Sequence, residues 1–352
     1  MEISVCMIVK NEEKVLKNCL ECVKQFADEI IIVDTGSTDK TKEIADKYTK
    51  NVFDFEWNDN FSTARNFSFS KATKDYIMWL DADDIIKNSE IKKINALKSK
   101  IPADTYMLRY AISFDKKNNE TFSYYRERIL RNCNLAKWHE FIHEVVIPFG
   151  KIEYLDITIE HHKKDFSNPK RNLIIYQKHI KNGEKLSARS QYYYAKELFY
   201  NGYYRKCVVE LKKYLKMKNK FEPNVADSYL TLSKCCKLLN NNAKALKLLL
   251  TSLIEISPNS EILCEIGDIF VTQKNYKQAI FFYECATLVK ADIKSGQFVD
   301  KNYYYLFPYL QLTMLYYKIG DFENAKKYHL LSKSCNPNNP SVLFNEKFFN
   351  KT

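Results

Sequence analysis

Residues 29–45 read EIIIVDTGSTDKTKEIA, and the change of period inside them decides the fold class. Ile30 to Val33 is a short unbroken apolar run of β-branched residues, the pattern of a strand covered on both faces. After Asp34 the turn residues Thr35-Gly36-Ser37 intervene, and from Ser37 the apolar positions recur at helical spacing over STDKTKEIADKY. The same alternation continues on either side. ISVCMIV (3–9), NVFDF (51–55) and YIMWL (76–80) read as strands, whereas KNEEKVLKNCLECVKQF (10–26) and NDNFSTARNFSFSKA (58–72) read as helices. Strands alternating with helices predict an α/β layer with a mainly parallel sheet, from Ile3 to about His162. Beyond Asp104 the stretches TYMLRYAISF, TFSYYRERIL and YLDITIEHH alternate residue by residue, which predicts antiparallel strands added beside the first sheet.

From about Ser187 the texture is helical and repetitive. An aromatic residue followed three positions later by a small one recurs at Tyr204/Cys207, Tyr276/Ala279 and Phe322/Ala325, with Asn242/Ala245 as a degenerate copy. The small residues are spaced 38, 34 and 46 apart, with Gly, Asn or Lys at the preceding turn and Pro after the second helix, as in SPNS and NPNNP. A period near 34 of this kind resembles tetratricopeptide repeats, whose stacked helix pairs present an extended concave surface, usually to polypeptide. An array that only braces the first domain, or pairs two copies of it as a homodimer, is the plainer use.

The charge divides along the same line. Residues 1–162 hold 24 Lys+Arg against 27 Asp+Glu, and residues 163–352 hold 31 against 16. A basic second half is either a lysine-rich solvated surface or a face for an acidic partner, whether polypeptide, nucleic acid or anionic membrane. Nucleic acid is disfavoured: the 25 tyrosines recur at repeat-packing spacing and no RNA-binding signature is present. The ten cysteines are scattered, and Cys19-x-x-Cys22 has no second CxxC and lies in an amphipathic helical pattern, so free thiols are expected. The opening MEISVCMIVKNEE differs from a signal peptide, no run of about 18 apolar residues occurs, and the cytoplasm is the expected compartment.

Seven glycines, at 36, 150, 183, 202, 267, 296 and 320, allow neither GxGxxG nor GxxxxGK[ST], which excludes the usual dinucleotide and P-loop enzymes. Carboxylates instead gather at strand ends, where open α/β sheets bind ligands. Asp34 ends EIIIVD and is placed to accept from a ribose hydroxyl or a base N–H; Asp39 is expected only to cap the next helix. YIMWL runs into Asp81-Ala82-Asp83-Asp84, three carboxylates whose crowding calls for a cation such as Mg2+ or Mn2+, which in turn would hold a diphosphate. Between these strands, Arg65 could reach a phosphate or a ribose.

His139-Glu140-Phe141-Ile142-His143 spells a zinc peptidase helix, but Val145-Val146-Ile147-Pro148 follows at once and leaves room for little more than one helical turn. A peptidase would also give the strand-end carboxylates no purpose.

Taken together, ISVCMIVKNEE, DEIIIVDTGSTDKT, WNDNFSTARN and YIMWLDADD resemble the family-2 glycosyltransferases, with their Rossmann-like GT-A fold for nucleotide-diphospho-sugars; YIMWLDADD matches the Asp-x-Asp motif. The expected architecture is an α/β GT-A domain over 1–165, a linker or helical transition over 166–186, and all-α tetratricopeptide-like repeats over 187–352. The branch resembled is that of bacterial cytoplasmic transferases that carry helical repeats and glycosylate peptides or proteins. By this resemblance the donor is a UDP-sugar carrying a hexose or an N-acetylhexosamine, the cofactor Mn2+ or Mg2+, and the transfer inverting, onto a peptide or protein that the basic repeats could hold. Asp34 would contact uridine, Val9 to Glu12 would line the nucleotide site, Asp81 would meet the ribose or the metal, and Asp83 the metal. A Trp-x-x-x-x-His-Glu segment, here Trp138 to His143-Glu144, implies acceptor-site residues, with Glu144 the first candidate for general base and Glu140 the second. A late histidine approaches the metal in that family, which points to His161, with His162 as the alternative. Two other readings are a transferase acting on a cell-surface saccharide and a non-catalytic repeat module that binds protein.

Overall fold

The computed structural model describes residues 1–100, 102–114, 120–162, 169–291 and 300–349. The chain divides into two compact units, Met1–Ile175 and Tyr176–Thr352.

In the first unit β1 (Ile3–Val9), α1 (Leu16–Val23), β2 (Glu29–Asp34), α2 (Thr41–Ala45), β3 (Val52–Asp54), α3 (Phe61–Phe69) and β4 (Tyr76–Trp79) alternate as expected. They are followed by β5 (Asp84–Ile85), α4 (Asn88–Leu97), β6 (Thr105–Phe114), β7 (Glu120–Arg131), β8 (Trp138–His139), β9 (Val145–Val146), β10 (Ile152–His161) and α5 (Arg171–Lys181), in which the division between units falls. One sheet holds eight strands in the order β3-β2-β1-β4-β7-β6-β10-β5, and β3, β2, β1 and β4 are mutually parallel. The antiparallel expectation holds only in part. β7 is antiparallel to β4 and β6, but β10 is parallel to β6, because β7 follows β6 as a hairpin whereas β10 is reached by a crossover through residues 132–151.

The unbroken apolar strands are explained by the two cores they serve. Ile3, Val5, Met7 and Val9 of β1 pack with Leu16, Leu20 and Val23 of α1 and with Ile91 and Ile94 of α4. Cys6, Ile31, Ile77 and Trp79 point to the other face and pack with Phe69 of α3 and Trp138 of β8. Helix α1 starts later than its apolar spacing suggests. Asn11 has φ +56°, and residues 11–13 are tied to the segment after β2, so the chain turns before it coils.

The second unit is a series of helix pairs: α6 (Ala188–Tyr200) with α7 (Tyr204–Lys216), α8 (Glu222–Leu238) with α9 (Asn242–Glu255), α10 (Ser260–Thr272) with α11 (Tyr276–Leu288), and, after the short α12 (Lys301–Tyr304), α13 (Leu306–Lys318) with α14 (Phe322–Cys335) and a final α15 (Pro340–Phe349). Each second helix begins at the repeat residue identified from sequence, Tyr204, Asn242, Tyr276 or Phe322, and the small residue three places on is fully buried. The long last interval is where α12 stands. Two residues before each second helix the backbone is left-handed: Gly202 (φ +79°), Asn240 (+58°), Lys274 (+58°) and Gly320 (+84°). Glycine and asparagine suit that conformation and lysine does not, so Lys274→Gly should raise stability by about 0.5–1 kcal/mol. Urea denaturation checks this; an unchanged or lower midpoint would mean that the lysine side chain offsets its own strain.

Candidate active site

The carboxyl ends of β1, β2 and β4 lie side by side, since Val9 pairs with Asp34 and Cys6 with Trp79. Each strand end therefore delivers its polar residues to the same edge of the sheet. After β1, the Asn11 amide donates to Ser37 Oγ (2.9 Å), the Glu12 amide to Thr41 Oγ1 (2.7 Å) and the Glu13 amide to Asp39 Oδ2 (3.2 Å), while the Thr38 amide donates back to Asn11 Oδ1 (2.8 Å). These bonds fasten the loop after β1 to the loop after β2. Asp39 also accepts from the Thr41 amide at 3.0 Å, one residue before the cap position of α2, which is Lys40 rather than the expected Asp39.

Asp34 is buried at the end of β2. Its Oδ1 accepts from the amides of Gly36 and Ser37, both at 2.8 Å, and its buried Oδ2 has no hydrogen-bond partner among the described residues. A buried carboxylate oxygen without a donor is costly, and a ligand N–H or O–H would satisfy it.

After β4 the acidic turn is built around Asp84, which the sequence reading singled out only as one of three crowded carboxylates. Asp84 is fully buried: Oδ2 accepts from the Asp81 amide and from Arg128 Nη1, each at 3.0 Å, and Oδ1 from the Tyr110 hydroxyl at 3.1 Å. Arg128 is itself buried between the Trp79 and Tyr110 rings, with Cζ 3.6 and 4.1 Å from their centroids. It reaches that place through a β-bulge. In the β6–β7 ladder Tyr106 pairs with Ile129 and Met107 with Glu127, so Arg128 is the extra residue whose direction the bulge resets.

Arg65, on α3, bridges two sites of expected chemistry. Its Nη2 donates to Asp81 Oδ1 and its Nε to Glu144 Oε1, both at 2.8 Å, and its guanidinium lies over the Trp138 and Trp79 rings. Burial alone would raise the Asp81 carboxyl, but Arg65 and then Arg128 hold it well below the usual range. Arg65, expected to reach a phosphate or a ribose, here engages these two carboxylates.

The segment HEFIH forms no helix. It begins at His139, the last residue of β8, and continues through the loop to β9, with φ +71° at Glu140 and +52° at His143. Helix α3 fixes this loop: Asn66 accepts from the Trp138 amide (2.9 Å) and donates to the Trp138 carbonyl (3.0 Å), Phe61 donates its amide to the Phe141 carbonyl (2.9 Å), and Ser62 donates to the Glu140 carbonyl. Glu144 is thereby presented to Arg65, whereas His139 points to solvent. The peptidase reading fails on this backbone, because its two histidines must share a helix face.

His161, at the end of β10, directs Nδ1 at Asp84 Oδ1 (3.1 Å) and Asp83 Oδ1 (3.3 Å); His162 turns away to Glu160 and stacks on Phe114. Burial opposes the charged imidazole, but the hydrogen bonds and charges of Asp83 and Asp84 push His161 up to about 10. Burial and then the charges of Asp83, Asp81 and Asp39 push the half-buried Glu12 up to about 7. Among the described residues, Asp81, Asp84 and His161 form the one group of three whose ligand atoms lie within 4.8 Å of one another. Asp81 is also held by Arg65, Asp84 by Arg128, and Asp83 faces His161, beside a Glu12 that is hard to ionise. This hard-oxygen and imidazole set fits Mn2+ and Mg2+. Cys19 and Cys22 are free thiols, Cys19 buried and Cys22 half-buried.

Residues 4–151 match the model of the family described as "Glycosyl transferase family 2". A TPR repeat-containing protein of Synechococcus elongatus is 45% identical over 83 residues, which cover 24% of this chain and 21% of that protein. The SPbeta prophage-derived glycosyltransferase SunS of Bacillus subtilis is 38% identical over 96 residues, 25% of this chain and 21% of that one. The chain thus spans 21% of the length of each of these relatives. Among solved structures, S. aureus TarS 1-349 in complex with UDP-GlcNAc aligns over 96% of this chain and 92% of its own, at 14% identity and a TM-score of 0.40. No described helix is long and apolar enough to cross a membrane. Residues 4–151 thus match the family-2 glycosyltransferases and fold as an α/β unit of the GT-A type, and the helix pairs that follow are tetratricopeptide-like.

Proposed function

We propose that the first unit is an inverting glycosyltransferase that moves a hexose or N-acetylhexosamine from a UDP-sugar to a hydroxyl or thiol of a peptide or protein, with Mn2+ or Mg2+. The observation that carries this reading is the convergence of Glu12, Asp34, Asp81 and Asp83 at neighbouring strand ends, with Glu144 joined to Asp81 through Arg65. Asp34, with its unpartnered Oδ2, orients the uridine beside the segment Val9 to Glu12. Asp83 and His161 would hold the cation. When bound, that cation supplies electrostatic stabilisation of the departing diphosphate. Arg65 acts by position, setting Asp81 on the donor side and Glu144 on the acceptor side. Glu144 takes the acceptor proton while the nucleophile attacks the anomeric carbon from the face opposite the leaving group, and the adjoining His143 orients the acceptor.

The test is UDP release from a panel of UDP-sugars without any acceptor, with and without Mn2+ or Mg2+. Slow metal-dependent hydrolysis of one donor is expected. No turnover, together with no UDP binding by calorimetry, would sink the proposal.

Metal binding should depend on pH. His161 is protonated below about 10, and a coordinating imidazole must be neutral, so each bound ion displaces a proton. The apparent Mn2+ affinity should therefore rise by about tenfold per pH unit between roughly pH 6 and 9. A flat profile would show that His161 keeps its proton and is no ligand.

A further inference from the structure

Aligning the helix pairs on their buried small residues, Cys207, Ala245, Ala279 and Ala325, brings out a second pattern on the second helices. Positions two, five and nine residues further on are spaced i, i+3 and i+7 and so share one face of each helix. Of these twelve positions eleven are exposed, and ten carry lysine or a large apolar side chain. The nine-residue position reads Lys216, Ile254, Leu288 and Ser334 along the array; the five-residue position reads Lys212, Leu250, Glu284 and Leu330. Glu284 is the exception to exposure, turned in to accept from the Tyr316 and Tyr328 hydroxyls at 2.8 and 3.0 Å.

The charge on these helices is one-sided. Helices α7, α9, α11 and α14 expose ten lysines and arginines against two carboxylates, Glu255 and Glu323. The first helices differ, with carboxylates paired inside the array, as in Lys196 with Asp227 and Lys237 with Glu265. The exposed charge of these four helices is therefore strongly basic, and half of the ten cations stand on α7.

Lysines alone would read as a solvated face. The apolar residues among them do not, because Ile254 is 88% exposed and Leu288 81% exposed, and each stands on the helix face that carries the lysines. Exposed aliphatic side chains cost free energy in water and gain nothing against nucleic-acid phosphates. A nucleic-acid face would favour arginine forks and repeated aromatic stacking, whereas the twelve positions here hold no arginine and, beside lysine, leucine, isoleucine and valine, a single aromatic, Phe281. Lysine interleaved with aliphatic tips matches a lipid interface, where the ammonium groups meet anionic headgroups and the tips enter the acyl boundary.

We propose that the second-helix face of the repeats docks on an anionic lipid surface. The test uses the full chain in flotation with phosphatidylcholine vesicles, with and without phosphatidylglycerol, at low and high salt. Wild type should float only with phosphatidylglycerol and should be released by salt. Lys212→Glu with Lys216→Glu should weaken flotation by roughly tenfold or more. Ile254→Ser with Leu288→Ser should weaken it comparably at unchanged charge, with circular dichroism melting and donor hydrolysis kept as controls for folding. Absence of flotation by folded wild type overturns the proposal. So does flotation indifferent to phosphatidylglycerol. If the serine pair floats like wild type while heparin releases the chain, the face is a general polyanion binder and the lipid assignment is wrong.

Discussion

Asp83→Ala is expected to lower metal-dependent UDP release by on the order of 10²–10³-fold, the scale on which removal of one preorganised electrostatic group acts in a water-excluded site. The loss should not come from unfolding. Asp83 is half-buried, and its removal relieves the repulsion with Glu12 while giving up one of the two carboxylates that face His161, so the two effects oppose each other. His161 retains Asp84 as a partner, and the backbone bond from the His162 amide to the Asp83 carbonyl, at 3.2 Å, survives the substitution. Melting should accordingly stay close to that of the wild type, while Mn2+ titration by calorimetry loses its heat. With Asp83 gone, Glu12 loses the largest charge contribution to its raised pKa and should ionise nearer the usual carboxylate range. Near wild-type turnover in this variant would remove Asp83 from the metal site and with it the basis of the proposed chemistry.

Arg128→Met is expected to act in the opposite way, chiefly on stability. It leaves the fully buried Asp84 carboxylate with His161 in place of its arginine and removes the 3.1 Å bond from Nη1 to the Trp79 carbonyl. Breaking one side of a buried pair costs about 3–5 kcal/mol, because the remaining charge is still desolvated. For a unit of this size that corresponds to a melting shift of roughly 6–20 °C. Methionine roughly matches the arginine stem in volume, so the effect reports charge more than packing. Adding Asp84→Leu should restore part of the stability but not the donor turnover, since the Asp81 amide then has no acceptor and the metal-side turn loses its anchor. A single variant that melts with wild type would show that Asp84 reaches water or another cation when Arg128 is gone.

What could be read before the fold was known depended on the range of the signal. The strands of the first unit and the helix pairs of the second announce themselves through short periods, and the repeat residues Tyr204, Tyr276 and Phe322 mark helix starts to the residue. Strand-end carboxylates were legible for the same reason, since the residue that ends a buried run points to the ligand edge. The connections between them were not. Arg65 and Glu144 are 79 residues apart, and nothing local distinguishes an arginine that reaches a phosphate from one held between carboxylates. Arg128 escaped because strict alternation along YYRERIL puts it on the same face as Arg126, and the bulge that redirects it leaves no mark in composition. The parallel entry of β10 was missed because residue alternation reports exposure, not strand direction. In HEFIH the letters were right for a helix and the backbone was not, with two non-glycine residues at positive φ.

The shared use of Arg65 bears on the timing of the reaction. One guanidinium holds both Asp81 and Glu144, which the proposed function puts on the donor and the acceptor side. On the proposed reading, Glu144 becomes neutral when it receives the acceptor proton, and its attraction for Arg65 weakens at that moment. The same moment is when negative charge grows on the departing diphosphate. The cation then interacts more strongly with the donor side without moving, so proton uptake at one end of the fork and charge development at the other reinforce each other within a single side chain.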